Sequence, residues 1–371
     1  MKKIYFLLCL MIIFTGCSYN ELNDLAIATA ISIDYKDEKI LLEAQILSFD
    51  KETDSNNKSV IIYKSEGKTV GEAIRNVYKK YPNKLHLGHL ELLIVSKDAA
   101  NEKLSEILDY FIRSPEARSD CNFVIAMNTN AKDIIKPSEK EEKMTSEEII
   151  NSIKNASKYQ GTVFLSSLEK IAKTYLEKGI MPAVTALEYT DDDYTTVKSI
   201  NLVGINKNNK VTNPMNKKSA IAYNTIYENY DDIMLNIPFK GTYINVIIYN
   251  LKTNKDIKIN KNKLNYTIDI KAEAHISQIK QEYDLNKKEI QEEITKSIKK
   301  EYKSYIKDLI KYCKENNIDL IGLKQLLYKK YYKEYKDFKN TNFYDSDIKI
   351  NVDIKLFRYG NTFKGIGDND E

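Results

Sequence analysis

The apolar run from Ile4 to Phe14 stops after eleven residues, and that length limits what the rest of the chain can be. A helix needs about 20 apolar residues to cross a bilayer, so this run is not a span. Lys2 and Lys3 precede it, and Thr15 and Gly16 come directly after it. Positive flank, short apolar core and small residues at the cut are the pattern of a cleaved signal peptide, here residues 1–16. No later stretch is apolar enough to span. The chain beyond Gly16 is therefore expected to be a water-soluble body outside the cytoplasmic membrane.

A plain secretory signal leaves Cys17 unexplained. Phe14-Thr-Gly-Cys17 resembles the lipobox of bacterial lipoproteins, in which the cysteine thiol takes a diacylglyceryl group and becomes the first mature residue. The usual first residue of that box is Leu, and Phe14 departs from it with another large apolar side chain. One acyl chain holds a protein to a bilayer only marginally, at about 0.8 kcal/mol per buried methylene, whereas two hold it stably. Cys17 is thus the expected lipid attachment point. Cys9 lies inside the excised core, and no cofactor beyond this covalent lipid is expected.

The chain has 371 residues, enough for two or three domains that each bury a core. Without Lys2 and Lys3, 57 − 2 = 55 basic residues face 53 acidic ones. That near balance gives no argument for nucleic acid as a partner. Only Arg75, Arg113, Arg118 and Arg358 among the basic residues are arginine, and the chain has 27 Tyr and no Trp, as an AT-rich genome would encode. An arginine kept against that bias says more than a lysine, because its planar fork binds carboxylates in two places at once. Cys121 and Cys313 could pair in an oxidising exterior. Their strand-like and helix-like settings point instead to two small buried hydrophobes.

Periodicity organises the body. LAIATAISIDY and KILLEAQILSF read as strands around a turn at Lys36 to Lys39, and SVIIYKS as a third. Thr69-Val-Gly-Glu72 is a capping box ahead of a helix that ends at Pro82. In KLHLGHLELLIVS the apolar phase changes around Gly88, as in one bulged strand. An amphipathic helix through Leu104, Ile107, Leu108 and Phe111 closes at Ser114-Pro115, before a strand from Cys121 to Met127. Lys136 to Met144 reads as a charged linker. Beyond it, Thr145-Ser-Glu-Glu148 caps a helix over 149–159, a further helix starts at Ser166, and a hairpin turns at Lys207 to Asn209. Two long strands come next, then a helix over about 286–315 capped by Asn286, a short helix around Leu323 to Leu327, and a last strand DIKINVDIKLF. The Lys and Glu face of the long helix reads as solvated surface.

Catalytic and metal patterns are missing from the sequence. His86 and His89 form one histidine pair, but a metal needs a third or fourth convergent donor, so no metal is expected. Neither G-x-S-x-G, H-E-x-x-H, a P-loop nor C-x-x-C occurs. Asp191-Asp-Asp193 and Asp231-Asp232 lack the spaced ligands of a calcium loop.

Several motifs together resemble one family. Glu21-Leu-Asn-Asp-Leu-Ala26, Ile31-Ser-Ile-Asp34, Glu72-Ala-Ile-Arg75-Asn76, Pro82 to Leu85, Gly88-His89-Leu90 and Phe111-Ile-Arg113-Ser-Pro115-Glu-Ala-Arg118 look like those of the Ger(x)C spore germination lipoproteins, the C subunits of nutrient germinant receptors. Ser18-Tyr19 stands where the family usually carries Trp-Asp, and the stretch from about Asp191 to Pro238 matches loosely. The resemblance implies an α+β protein of three mixed α/β domains, each a largely antiparallel or mixed sheet with packed helices. Residues 17–137, 138–245 and 246–371 are the expected domains. It also implies a non-enzymatic subunit at the outer face of the spore inner membrane, beside membrane-embedded A and B subunits. Arg75, His89, Arg113 and Arg118 would then be structural anchors or partner contacts. A transporter's substrate-binding lipoprotein is the alternative, for which two lobes of repeated parallel units are expected. A lipid-anchored hydrolase would need a catalytic set that the sequence does not display.

Overall fold

A computed structural model of the chain describes residues 25–49, 58–135, 146–190, 197–227, 229–280, 283–338, 341 and 343–358. Cys17, the signal segment, the 136–144 linker and Asp191 to Asp193 lie outside the described residues.

The first hairpin forms as its alternation dictates, with β1 (Leu25–Lys36) antiparallel to β2 (Lys39–Phe49) and β2 to β3 (Lys58–Gly67). Asp37 and Glu38 turn it at φ values of 50° and 58°, left-handed backbone that suits a two-residue hairpin loop. Helix α1 (Val70–Lys80) starts at Thr69, whose hydroxyl accepts from the Glu72 amide, and buries Val70, Ala73, Ile74 and Val77.

The segment expected as one bulged strand is two strands. β4 (Lys84–His86) and β5 (Leu92–Ser96) both run parallel to β1, pairing Leu25 with Lys84 and Ala30 with Leu92. Between them a turn at Gly88-His89 closes with the Leu90 amide on the Leu87 carbonyl at 3.1 Å. Every residue of β5 is buried, which explains the unbroken LLIV run. A central parallel strand is covered on both faces and has no solvent side to mark with polar residues.

Helix α2 (Lys97–Arg113) returns to β6 (Asn122–Ala126), parallel to β5. Short α3 (Ala131–Ile134), α4 (Ser146–Gln160) and α5 (Leu168–Leu176) then lead to β7 (Ala183–Tyr189), parallel to β6, and β8 (Val197–Gly204), antiparallel to β7. The first sheet therefore has the order β3-β2-β1-β5-β6-β7-β8, with β4 beside β1. Side chains of α1, α2 and α5 pack on one face, and those of α3 and α4 on the other.

The second sheet has the order β12-β11-β10-β9, from β9 (Asp232–Phe239), β10 (Thr242–Asn260), β11 (Lys263–Gln278) and β12 (Asp347–Arg358). β9, β10 and β11 are antiparallel, and β12 is parallel to β11. Helices α6 (Lys217–Ile226) and α7 (Lys288–Glu315) share its core. Along α7 the buried residues Ile294, Ile298, Tyr302, Tyr305, Ile306, Leu309 and Cys313 form one stripe. The cap of α7 differs from expectation: Lys287 is the capping position, and Asp284 accepts from the Asn286 and Lys287 amides ahead of it. α8 (Leu323–Lys330) and the one-turn α9 (Tyr335–Phe338) precede β12.

The mixed α+β make-up and multi-domain arrangement hold. The stretch 138–245, expected to form a middle domain, adds β7 and β8 to the first sheet and β9 to the second. The centre of the first sheet is parallel and its outer pairs are antiparallel, so the sheet is mixed. Cys121 and Cys313 are both buried and free, and burial pushes each thiol up to about 12.

Candidate functional site

Most residues singled out in the sequence meet at one end of the first sheet. Lys84, the β1 partner of Leu25, pairs with Glu116 at 2.9 Å. The Glu91 amide donates to the Thr29 carbonyl at 2.9 Å, and the Glu91 carbonyl accepts from the Asn122 amide at 2.8 Å. These bonds draw the first half of β1, the Gly88-His89 corner and the α2–β6 loop into one surface. β1 starts eight residues after Cys17.

The arginines on it are exposed. Arg113 donates to Asp109, one helical turn back, at 2.6 Å, and Arg118 grips both oxygens of Asp120 at 2.8 and 2.5 Å. Arg75 is exposed on α1. Exposed pairs of this kind contribute little to stability, because water competes for both partners. Both forks sit on nearby carboxylates, but burial, on which a large structural effect depends, is missing. His89 is exposed at the corner, its ring 5.8 Å from that of the half-buried His86 between centroids. Among the described residues no group of three or more His, Cys, Asp and Glu side chains is placed to hold a metal.

Asp34, the last residue of Ile31-Ser-Ile-Asp34, has a structural explanation. Its buried carboxylate receives the Ala131 and Lys132 amides at 2.8 and 3.0 Å, so it caps α3 from the middle of the fold. Across a sheet and nearly a hundred residues of sequence, that contact has no local signature. Asn76 of the Glu72 motif likewise donates to the Glu66 carbonyl at 2.8 Å and ties α1 to β3.

A second constellation, unseen in the sequence, joins the first-sheet region to the second. The Asp319 carboxylate collects the Gly322, Leu323 and Lys324 amides and the Tyr344 hydroxyl at 2.7 to 3.1 Å. It thereby caps α8. Burial pushes this carboxyl up, against the pull of its amide and hydroxyl donors. Backbone bonds cross the junction in both directions, Met181 amide to Asp319 carbonyl and Gln325 amide to Gly179 carbonyl, each 2.8 Å. Tyr227 and Lys255 hold the adjoining loop through the Leu320 and Ile321 carbonyls at 2.6 and 2.8 Å. Around this junction lies a cleft of about 520 Å³ lined in part by Lys207, Lys324, Tyr335 and Phe343. The Ile-Asp-Leu-Ile-Gly spacing at 318–322 carries a cap-before-helix signal that could have found Asp319.

The chain has known relatives along its length. Residues 18–189 match the spore germination protein N-terminal domain, and residues 203–360 match the Spore germination B3/GerAC-like C-terminal domain. Spore germination protein KC of Bacillus subtilis (strain 168) is 25% identical over 384 aligned positions, covering 94% of this chain and 92% of that one. The crystal structure of the GerBC protein superposes with a TM-score of 0.57 at 16% identity, over 88% of this chain and 96% of that one. It supports the fold alone. Two domain matches in sequence order and a relative aligned nearly end to end establish that the chain belongs to the Ger(x)C family of spore germination proteins.

Proposed function

We propose that the chain is a lipid-tethered subunit of a spore nutrient germinant receptor, held by Cys17 at the outer face of the spore inner membrane. It acts there through contacts with the A and B membrane subunits and performs no chemistry on the nutrient. The observation that carries this reading is the family match, which begins at residue 18 and continues to residue 360 with one short gap. The alignment with spore germination protein KC covers 94% of the chain. Among the described residues no helix is long and apolar enough to cross a membrane, and in this reading the diacylglyceryl group on Cys17 makes the attachment. Two acyl chains suffice for that. Tethering also raises the effective concentration of the body near membrane subunits, which strengthens a complex without any new contact.

Deletion of the gene tests the proposal. Spores lacking it are expected to ignore the nutrients served by their receptor, to answer a trigger that bypasses receptors, and to hold less of the A and B subunits in the membrane. A Cys17→Ala chain should lose lipid labelling and show a milder form of the same defect. Deletion spores that germinate normally on every nutrient, with any redundant receptor also removed, would overturn the reading. Loss of one solute's uptake in growing cells would do the same in favour of a transporter.

A further inference from the structure

The outer side of α7 carries a feature that the receptor reading does not use. Lys296, Lys300, Lys303 and Lys307 are all exposed and recur at spacings of four, three and four, so they stand in one row. The buried stripe of the helix runs through Ile294, Ile298, Tyr302 and Ile306, and the row lies on the opposite side. Neighbouring lysines are paired: Lys299 with Asp353 at 3.2 Å, Lys288 with Glu292 at 3.8 Å, Lys311 with Glu315 at 3.8 Å. Among the described residues none of the four in the row has a carboxylate partner. Beside them runs a groove of about 670 Å³ whose walls include five lysines, Lys288, Lys296, Lys299, Lys300 and Lys303, against the single carboxylate of Glu292, together with Leu356 of β12.

Like charges one turn apart weaken a helix. Lys296 faces Lys300 and Lys303 faces Lys307 in this way, so the row costs the isolated fold stability that an outside anion would restore. The row is straight and about 16 Å long, from eleven steps of 1.5 Å between Lys296 and Lys307. Evenly spaced flexible ammoniums in a line suit a flat, anionic surface better than one small anion. A near-neutral mature chain with few arginines gives no matching argument for nucleic acid.

We propose that this lysine row docks α7 on the anionic headgroups of the membrane that carries the protein, so that the body is held by the long helix of its second sheet as well as by its lipid. The proposal rests on the tether reading for the nearness of a membrane. Its test does not use the tether.

The assay is sedimentation of the mature chain, residues 17–371 with Cys17→Ser, with vesicles of 30% phosphatidylglycerol in phosphatidylcholine and with pure phosphatidylcholine. The anionic vesicles should retain the chain at low salt and release it at 0.5 M salt, where screening is short-ranged. Neutral vesicles should not retain it. Each lysine near an anionic surface changes partitioning about fivefold, so Lys296→Gln, Lys300→Gln, Lys303→Gln and Lys307→Gln together should weaken binding by several hundredfold. Their thermal unfolding should not fall, because the repulsion has been removed. Lys252→Gln, Lys258→Gln, Lys261→Gln and Lys263→Gln change the net charge equally in the β10–β11 hairpin and should leave binding within a few fold of the parent. Equal losses in both variants would make binding a matter of net charge and overturn the proposal. So would failure of the parent to bind anionic vesicles, or retention of a DNA duplex in their place. Lipid labelling at Cys17 is read separately, so a failed tether and a failed docking surface give different results.

Discussion

Substitution of Gly179 by Ala tests whether the two sheet-bearing regions are welded at the Asp319 junction. Gly179 has φ of +78°, and a Cβ there would stand 2.6 Å from the Gln325 amide nitrogen and 2.7 Å from the Lys324 carbonyl carbon. Both are backbone atoms, so neither can swing away. Gly241 is the natural comparison, with φ of +77° and nothing within 4 Å of its would-be Cβ. Left-handed backbone costs an alanine about 1–2 kcal/mol at either site, and the loss of glycine's freedom in the unfolded chain offsets part of it equally at both. Only Gly179→Ala also pays for overlap, about 1–3 kcal/mol by analogy with overpacked cores. Gly241→Ala should therefore lower stability by about 1 kcal/mol, and Gly179→Ala by about 2–4 kcal/mol. Urea unfolding of the mature Cys17→Ser chain, followed by far-UV circular dichroism, measures both. A split into two transitions in Gly179→Ala alone would mark separate melting of the two regions. Equal destabilisation by the two variants, within about 0.5 kcal/mol, would refute the close approach on which the junction is built.

Lys255 offers a pH test: burial lowers its ammonium from 10.5 to about 8 in the folded chain. Above about pH 8 the unfolded chain binds the extra proton, so stability should rise between pH 8 and 9.5, by about 1–2 kcal/mol. Lys255→Met should remove that slope in urea midpoints, whereas an unchanged slope would contradict the assignment. Cys121 and Cys313 should both resist a thiol reagent at pH 8 in the native mature Cys17→Ser chain, since burial keeps them protonated, and two thiols should react in urea. Fast native labelling of either would show an opened core. Arg113→Lys should leave thermal unfolding unchanged, because the Asp109 pair is fully exposed. If the same variant lowers the amount of A and B subunits in spore membranes, Arg113 is a partner contact, and a large drop in unfolding temperature would restore it as an anchor.

The elements whose stability is decided locally are the ones that the sequence determined. Alternation in Leu25 to Phe49 fixes the first hairpin, Thr69 and Glu72 fix the start of α1, and the four-and-three steps of Ile294 to Cys313 fix the buried stripe of α7. Each of these signals lies within one or two turns of helix or one strand pair. Tertiary structure decided what depends on partners far along the chain. Parallel pairing of β1 with β5 cannot be seen in β5, because a strand buried on both faces carries only an apolar run. That ambiguity made one bulged strand out of two. The same blindness gave the stretch 138–245 a domain of its own, when its strands are divided between two sheets. Side-chain caps divide along the same line: Thr69 caps its own helix and is legible, while Asp34 caps α3 from ninety-seven residues away. Burial of an arginine is also a tertiary property. The scarcity of arginine marked Arg113 and Arg118 as special in sequence, but only the packed fold shows them facing water, with their forks on Asp109 and Asp120.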